Sequence, residues 1–334
     1  MTRRSAGRIQ VARGLWYVRP GEVELRHAPL PPLEPGKVQV RALYSGVSRG
    51  TERLVLAGLV PEHERERMRA PLQEGQFPFP VKYGYCAVGT IEAGPKELIG
   101  HNVFSLHPHQ DVFQVPLSMA VPLPSDLPPR RATLAANMET ALNGLWDSGA
   151  GPADRIVVVG AGIVGLLVAY LAARLPGSHV TVVDPVAARR SLVETLGATF
   201  SPAGADTKGS ADVVFHTSAS EAGLATAIAA AGMEGTIVEL SWYGDKRIAV
   251  PLGGAFHSQR LRLVSSQVGQ VSAGRRVRWD YRRRMDAALA LLADERLDAL
   301  LTTEIAFDEA PAKLPALLAP DAPGLAPVIR YAGT

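Results

Sequence analysis

Residues 155–165 read Arg155-Ile156-Val157-Val158-Val159-Gly160-Ala161-Gly162-Ile163-Val164-Gly165, and this stretch decides the fold. An unbroken apolar run of this length predicts a strand buried on both faces. The spacing Gly160-x-Gly162-x-x-Gly165 follows directly, and the apolar residues over 163–175 predict a helix behind it. Each glycine has a separate reason. Gly160 permits a tight turn, Gly162 lets a pyrophosphate approach the backbone, and Gly165 lets the helix pack close to the strand. The free N–H groups at the helix start, at Ile163 and Val164, then face the phosphates with the positive end of the helix dipole. A second apolar strand, Val180-Thr181-Val182-Val183, ends in Asp184, 19 residues after Gly165. A carboxylate there accepts both ribose hydroxyls of an adenosine and repels a 2′-phosphate, which favours NAD. Arg189 and Arg190 keep NADP open, because an arginine near this strand end holds a 2′-phosphate or stacks on adenine.

Outward from this unit the chain alternates. Strands are expected at 155–159, 179–183, 212–216, 235–240 and 260–265, with a further short one at 198–200, and helices at 163–175, 186–196 and 221–231. This alternation predicts a parallel sheet with helices on both faces. Residues 15–124 read differently, as short strands broken by Pro and Gly, and the charged stretch 61–74 reads as a short helix or a loop. A helix is expected over 132–146, and the last part carries a charged helix near 279–293 and a strand near 328–331. The expected division is 1–130, then a nucleotide domain over 131–268, then a return segment over 269–334. Ligands in such sheets lie beyond the carboxyl ends of the strands, which nominates Thr217, Ser218, Ser241, Trp242, Ser265 and Ser266 for cofactor contact.

Composition excludes several classes. With 47% hydrophobic and 20% charged residues, the 334-residue chain is neither disordered nor a coiled coil. A net charge of +3 over this length does not mark a nucleic-acid binder. The run Arg275 to Arg284 carries six arginines and two aromatics, which read alone is a nucleic-acid stripe and otherwise a solvated helix face, a subunit surface or a site for an anionic substrate or cofactor phosphate. Cys86 is the single cysteine, so disulfides and multi-cysteine zinc sites are excluded. A reducing compartment suits one free thiol. No apolar run is long enough to span a membrane, and Met1-Thr2-Arg3-Arg4-Ser5 opens no export signal, so a cytoplasmic protein is expected.

Four segments carry a family resemblance: Tyr44-Ser45-Gly46-Val47-Ser48-Arg49-Gly50-Thr51-Glu52, Tyr83-Gly84-Tyr85-Cys86-Ala87-Val88-Gly89, Asn137-Met138-Glu139-Thr140-Ala141, and the glycine turn. Over essentially its whole length the chain resembles the medium-chain dehydrogenase/reductase superfamily. The resemblance implies an α/β fold, in which a Rossmann doubly wound parallel sheet is inserted in a β-rich, GroES-like catalytic domain, and a homodimer. In the alcohol dehydrogenases of this superfamily the first segment resembles Ser-Gly-Ile-Cys-Gly-Thr-Asp and the second Gly-His-Glu. Ser48 stands where a zinc-binding Cys is expected, Tyr85 where a His ligand is, Cys86 where a Glu is, and the third ligand position falls near Ala136. The chain is therefore similar to the zinc-free branch, with some similarity to the bacteriochlorophyllide a dehydrogenases, and no metal is expected. Thr140 matches a position beside the nicotinamide.

Without zinc, hydride transfer needs hydrogen-bond donors and a base to manage the substrate oxygen. Ser48 and Tyr85 are candidates, each with the alternative of a satisfied core side chain. Lys82 lies three residues from Tyr85 and faces away from it on a regular strand. His107-Pro108-His109 reads as an exposed loop, an acid/base pair that includes His109, or a metal pair. Glu139 adds a carboxylate that supports the site or lies on a helix surface. The expected function is zinc-independent, NAD(P)-dependent hydride transfer between the nicotinamide and a secondary alcohol or its ketone, with a small-molecule substrate and no nucleic-acid or membrane partner. The alternatives are an NADPH-dependent quinone or enoyl reductase, and a nucleotide-binding redox sensor without turnover.

Overall fold

The computed structural model describes residues 10–332. The start Met1–Ser5, read above for an export signal, lies outside them. The described residues form two compact units, one from those up to 133 together with those from 303 on, the other from residues 134–302.

The first unit is built from short strands. They are β1 (Val11–Arg19), β2 (Glu22–Pro29), β3 (Lys37–Gly46), then helix α1 (Arg49–Ala57), β4 (Glu74–Gly75), β5 (Val81–Lys82), β6 (Ala87–Ala93), β7 (Asn102–Ser105), β8 (Val112–Pro116), β9 (Val121–Pro122) and the short helix α2 (Pro129–Ala132). The charged stretch 61–74 holds only a 3-10 turn, Glu62–Glu64, before β4.

The second unit holds α3 (Ala135–Ser148), β10 (Arg155–Val159), α4 (Ile163–Ala172), β11 (His179–Val183), α5 (Arg190–Thr195), β12 (Thr199–Ser201), β13 (Ala211–His216), α6 (Glu221–Ala230), β14 (Ala231–Glu239), β15 (Arg262–Ser265) and α7 (Tyr281–Leu291). The chain then returns to the first unit as β16 (Thr303–Ala306), α8 (Ala310–Leu317) and β17 (Pro327–Arg330). There β17 runs parallel to β16 and antiparallel to β3, completing the larger sheet in the order β16-β17-β3-β6-β7-β9, with β8 also paired to β3.

The sheet of the second unit has the order β12-β11-β10-β13-β14-β15, with every adjacent pair parallel. Numbered along the chain, this is the 3-2-1-4-5-6 arrangement of a doubly wound dinucleotide fold. The direction of winding reverses between β10 and β13, so their carboxyl ends part and leave a crevice. Ile156 to Val159 are buried, as a strand covered on both faces requires. Residues 165–172 of α4 are buried all round, which explains its lack of a polar stripe.

The second boundary differs from the sequence expectation. The return begins at Thr303 rather than at 269, because α7 belongs to the second unit. Arg284 on α7 is fully buried, and its guanidinium donates to Glu139 at 2.9 Å and Asn143 at 2.6 Å on α3. It also donates to the Val268 carbonyl at 2.6 Å. One arginine of the basic run is thus a core clamp, and Glu139 is its counter-ion rather than an open acid. Burial pushes the Glu139 carboxyl above its ordinary value, with Arg284 acting against the shift.

Removing one charge of a buried pair strands the other in a poor solvent. Glu139→Gln should lower unfolding free energy by about 3 kcal/mol in urea melts, and adding Arg284→Met should recover much of it.

Candidate active site

The glycine turn closes on three contacts. Gly160 sits at φ +107°, and a Cβ there would lie 2.8 Å from Thr217 Oγ1 and 3.0 Å from the Ser218 nitrogen. A Cβ on Gly165 would lie 2.0 Å from the Gly160 carbonyl oxygen. Thr217 fills the space that the glycines leave, donating to the Gly160 carbonyl at 2.8 Å. At Gly162, by contrast, a Cβ would meet nothing within 4 Å. Gly162 is the N-cap of α4 and carries no side-chain cap. The open space therefore lies in front of a helix N-terminus, in the first turn that holds Ile163 and Val164. A pyrophosphate fits this cradle.

Asp184 is tied to the same turn. Its Oδ2 accepts from the Ala161 N–H at 2.7 Å and its Oδ1 from the Val186 N–H at 2.9 Å. Arg189 stands 3.5 Å from Oδ2 and donates to the Ala161 carbonyl. Each carboxylate oxygen keeps a further lone pair for a ribose hydroxyl. The feature that suits NAD and the feature that suits NADP thus touch each other.

The strand ends beyond this crevice hold a cluster that the sequence reading missed. His216 ends β13 and Glu239 ends β14, and the two are register partners. His216 Nδ1 lies 2.7 Å from Glu239 Oε2, and Nε2 lies 2.7 Å from Ser218 Oγ. Tyr243 donates to Glu239 at 3.1 Å, and the Ser241 N–H donates to it at 2.8 Å. Burial pushes the Tyr243 phenol up, and Glu239 adds to the shift. Burial acts most strongly on Glu239 and raises it, but His216 and Ser241 together outweigh burial and hold the carboxyl below its ordinary value. A signal was present: each residue is the polar end of an apolar strand, and the strands are neighbours. Trp242 is half-buried beside Ser241, and Ser265 is exposed. Ser266 instead donates to Asp147 at 2.6 Å, and Thr140 donates to the Ala136 carbonyl at 2.9 Å.

In the first unit, Ser48 and Tyr85 come together as a pair. The Tyr85 hydroxyl donates to Ser48 Oγ at 2.5 Å and lies 3.2 Å from Thr51 Oγ1. Burial pushes the Tyr85 phenol well up, so it remains a donor. Beneath them lies Glu52, fully buried. Its carboxyl group receives the Ser48 N–H at 2.7 Å, the Tyr17 hydroxyl at 2.5 Å and His109 Nε2 at 3.1 Å. His109 Nδ1 meets Ser45 Oγ at 2.7 Å, which meets the Tyr331 hydroxyl at 3.0 Å. His109 is therefore closed at both nitrogens and fully buried, so it is neither in an exposed loop nor open as an acid/base.

His107 is buried too, stacked on Phe113 with ring centroids 4.1 Å apart. The loop and metal-pair readings of His107 and His109 give way to a packed polar core. Lys82 points elsewhere, to Glu74 and Gln110. At the positions where the resemblance expects zinc ligands stand a hydroxyl and a phenol bonded to each other, and the buried Cys86. Among the described residues no group of three His, Cys, Asp or Glu side chains is placed to hold a metal ion. This donor set does not fit a catalytic zinc.

Two expectations follow. Gly162→Ala should leave thermal stability unchanged but weaken nucleotide binding about tenfold or more, because its Cβ fills the cradle. Gly165→Ala should unfold the unit or cost roughly 3 kcal/mol, since the contact is backbone on backbone. Separately, burial pushes the His107 imidazole down to about 3. Unfolded His107 takes up a proton near pH 6.5 that the folded state refuses, so stability falls as pH drops from 6.5 towards 3. His107→Gln should flatten this slope by up to about 1.4 kcal/mol per pH unit in denaturant melts across pH 4–6.5.

No protein-family profile matches the chain. D-guloside 3-dehydrogenase of Escherichia coli (strain K12) is 28% identical over 184 residues, which are 51% of this chain and 53% of that protein. The chain thus spans about half the length of the curated relatives it matches. Among solved structures, L-idonate 5-dehydrogenase from Escherichia coli str. K-12 substr. MG1655 superposes with TM-score 0.79 at 14% identity, covering 97% of this chain and 99% of that one. A Sinorhizobium meliloti 1021 protein classed as a zinc-binding dehydrogenase and solved with NADP superposes with TM-score 0.76 at 18% identity, covering 96% and 99%. With a 3-2-1-4-5-6 sheet inserted in the chain of a β-rich unit, this protein has the fold of the medium-chain dehydrogenases/reductases.

Proposed function

We infer that the chain is an NAD-dependent, zinc-independent dehydrogenase that interconverts a secondary alcohol and its ketone. The observation that carries this reading is the open cradle at Gly162, set between two glycines that admit no side chain. Asp184, anchored to the same turn, supports NAD, and Arg189 beside it is the feature that would favour NADP. Thr217, Ser218, Ser241 and Trp242 at the strand ends are the further cofactor residues of this reading, with Ser265 beyond them.

When bound, the nicotinamide supplies or accepts the hydride. The chain must supply the rest. Tyr85 donates to Ser48, so the Ser48 hydroxyl hydrogen is left to bond a substrate oxygen, and the donation from Tyr85 strengthens that bond. A preorganised donor of this kind stabilises a developing oxyanion by about 3 kcal/mol. Glu52 fixes the Ser48 backbone, and the closed network of Tyr17, His109, Ser45 and Tyr331 holds Glu52 in turn. In this reading His109 and Glu139 hold structure rather than move protons. The hydroxyl and phenol bonded to each other where the resemblance expects zinc ligands support zinc independence.

The substrate is a small molecule. A homodimer is part of the reading: β15 is an edge strand of the nucleotide sheet, and Leu263 on it is exposed. Among the described residues no helix is long and apolar enough to cross a membrane. A cytoplasmic location rests on the one buried cysteine, Cys86.

Steady-state assays on a panel of secondary alcohols and ketones test this. Tyr85→Phe should reduce turnover about tenfold or more and leave NAD affinity intact. Unchanged turnover removes Tyr85 from the mechanism. Asp184→Ala should shift preference from NAD towards NADP, and a wild type that already prefers NADPH contradicts the cofactor assignment.

A further inference from the structure

His216 is a titratable side chain beside the nucleotide crevice that reaches an exposed hydroxyl, Ser218. Its ring is fully buried, and Glu239 at Nδ1 fixes a proton on that nitrogen. Nε2 is then an acceptor, so Ser218 donates its hydroxyl hydrogen inward. Ser218 itself is exposed, and with its hydrogen given to His216 its oxygen is left as an acceptor. Ser220 Oγ lies 2.9 Å from Ser218 Oγ and accepts the Gly223 N–H at 3.0 Å, leaving its own hydrogen for Ser218. Every donor in the row Ser220, Ser218, His216 thus points towards Glu239.

The fold makes room for this row. A Cβ on Gly223 would lie 2.0 Å from Ser218 Oγ and 2.8 Å from His216 Nε2, so α6 carries a glycine where the row needs space. The row also abuts the glycine turn, since a Cβ on Gly160 would lie 3.1 Å from Ser218 Cα. The groups facing the imidazole are Glu239 from β14, Tyr243 and Ser241 from the loop after it, Ser218 from the loop after β13, and Ser220 with the Gly223 backbone from α6. By contrast, His109, Glu52 and Glu139 are buried with their bonding groups engaged inside the protein.

We propose that His216 and Glu239 store the proton of the proposed reaction, and that Ser218 is the hydroxyl through which a ligand hydroxyl delivers it. This rests on the dehydrogenase reading. Oxidising an alcohol to a ketone transfers its carbinol hydride to NAD and releases one hydroxyl proton. Ser218 Oγ takes a proton from the ligand hydroxyl bonded to it and passes its own to His216 Nε2. The imidazolium rests against Glu239 until water, or the reverse reaction, takes the proton back. His216 acts through Ser218 and is a positioning and proton-holding residue. The ligand hydroxyl is the substrate's own, or a ribose hydroxyl that takes the substrate's proton as it gives up its own.

The test counts protons released on NAD binding, by calorimetry in two buffers of different ionisation enthalpy between pH 6 and 8. It is run with NAD alone and with NAD plus trifluoroethanol. Release is expected with the alcohol present and not with NAD alone, which brings no reacting hydroxyl, and Ser218→Ala and His216→Asn should abolish it. Both variants should also lose the acid limb of kcat/KM against pH and fall about tenfold in turnover. No release in the wild type, or equal release and an equal acid limb in the variants, overturns the proposal. Ser218 is exposed, so its variant decides alone if His216→Asn does not fold. A wild type that binds no nucleotide overturns the dehydrogenase reading and this proposal together. Binding with unaltered variants overturns this proposal only.

Discussion

The contact between the Gly165 Cα and the Gly160 carbonyl is the constraint on which the nucleotide unit depends. No side chain fits there, so helix α4 starts directly against the end of β10. That approach sets the helix N-terminus facing the crevice where the sheet reverses its winding. Thr217 then locks onto the turn from β13, and Asp184 locks onto it from the end of β11. Three strand ends are thus fastened to one turn, and only at Gly162 is space left beside it. The cost of so many close contacts is borne by glycine, which alone has no Cβ to place.

The β-rich unit solves a different problem. Where the resemblance expects zinc ligands, this chain has hydroxyls, and a hydroxyl is a weak handle unless its hydrogen is aimed. Glu52 does the aiming indirectly. A buried carboxyl group is tolerable only when its oxygens are bonded, and here a backbone N–H, a phenol and an imidazole serve them. His109, the conspicuous histidine of the sequence, is used up in this way. The polar core orders the Ser48 segment and leaves Tyr85 and Ser48 bonded to each other above it.

Much of the architecture was legible because its signals are local. Apolar runs, glycine spacing and strand-ending acids all lie within a few residues of each other, so the Rossmann strands fall near their expected places. The return point at Thr303 was not legible. It depends on Arg284 reaching Glu139, 145 positions away. The same limit hid the Glu52 network, where Ser45 meets Tyr331 across 286 positions. It also left His216 unnoticed, because its meaning comes from lying opposite Glu239 on the next strand. Ser48 and Tyr85 were found through the family resemblance, while their hydrogen bond to each other required the fold.

The central claim is that the space at Gly162 holds a nicotinamide dinucleotide. Calorimetric titration of the purified chain with NADH and with NADPH tests it most directly. The account predicts saturable binding at a single site per chain, tighter for NADH. Absence of heat and of saturation with both nucleotides, in protein that melts cooperatively, would contradict it.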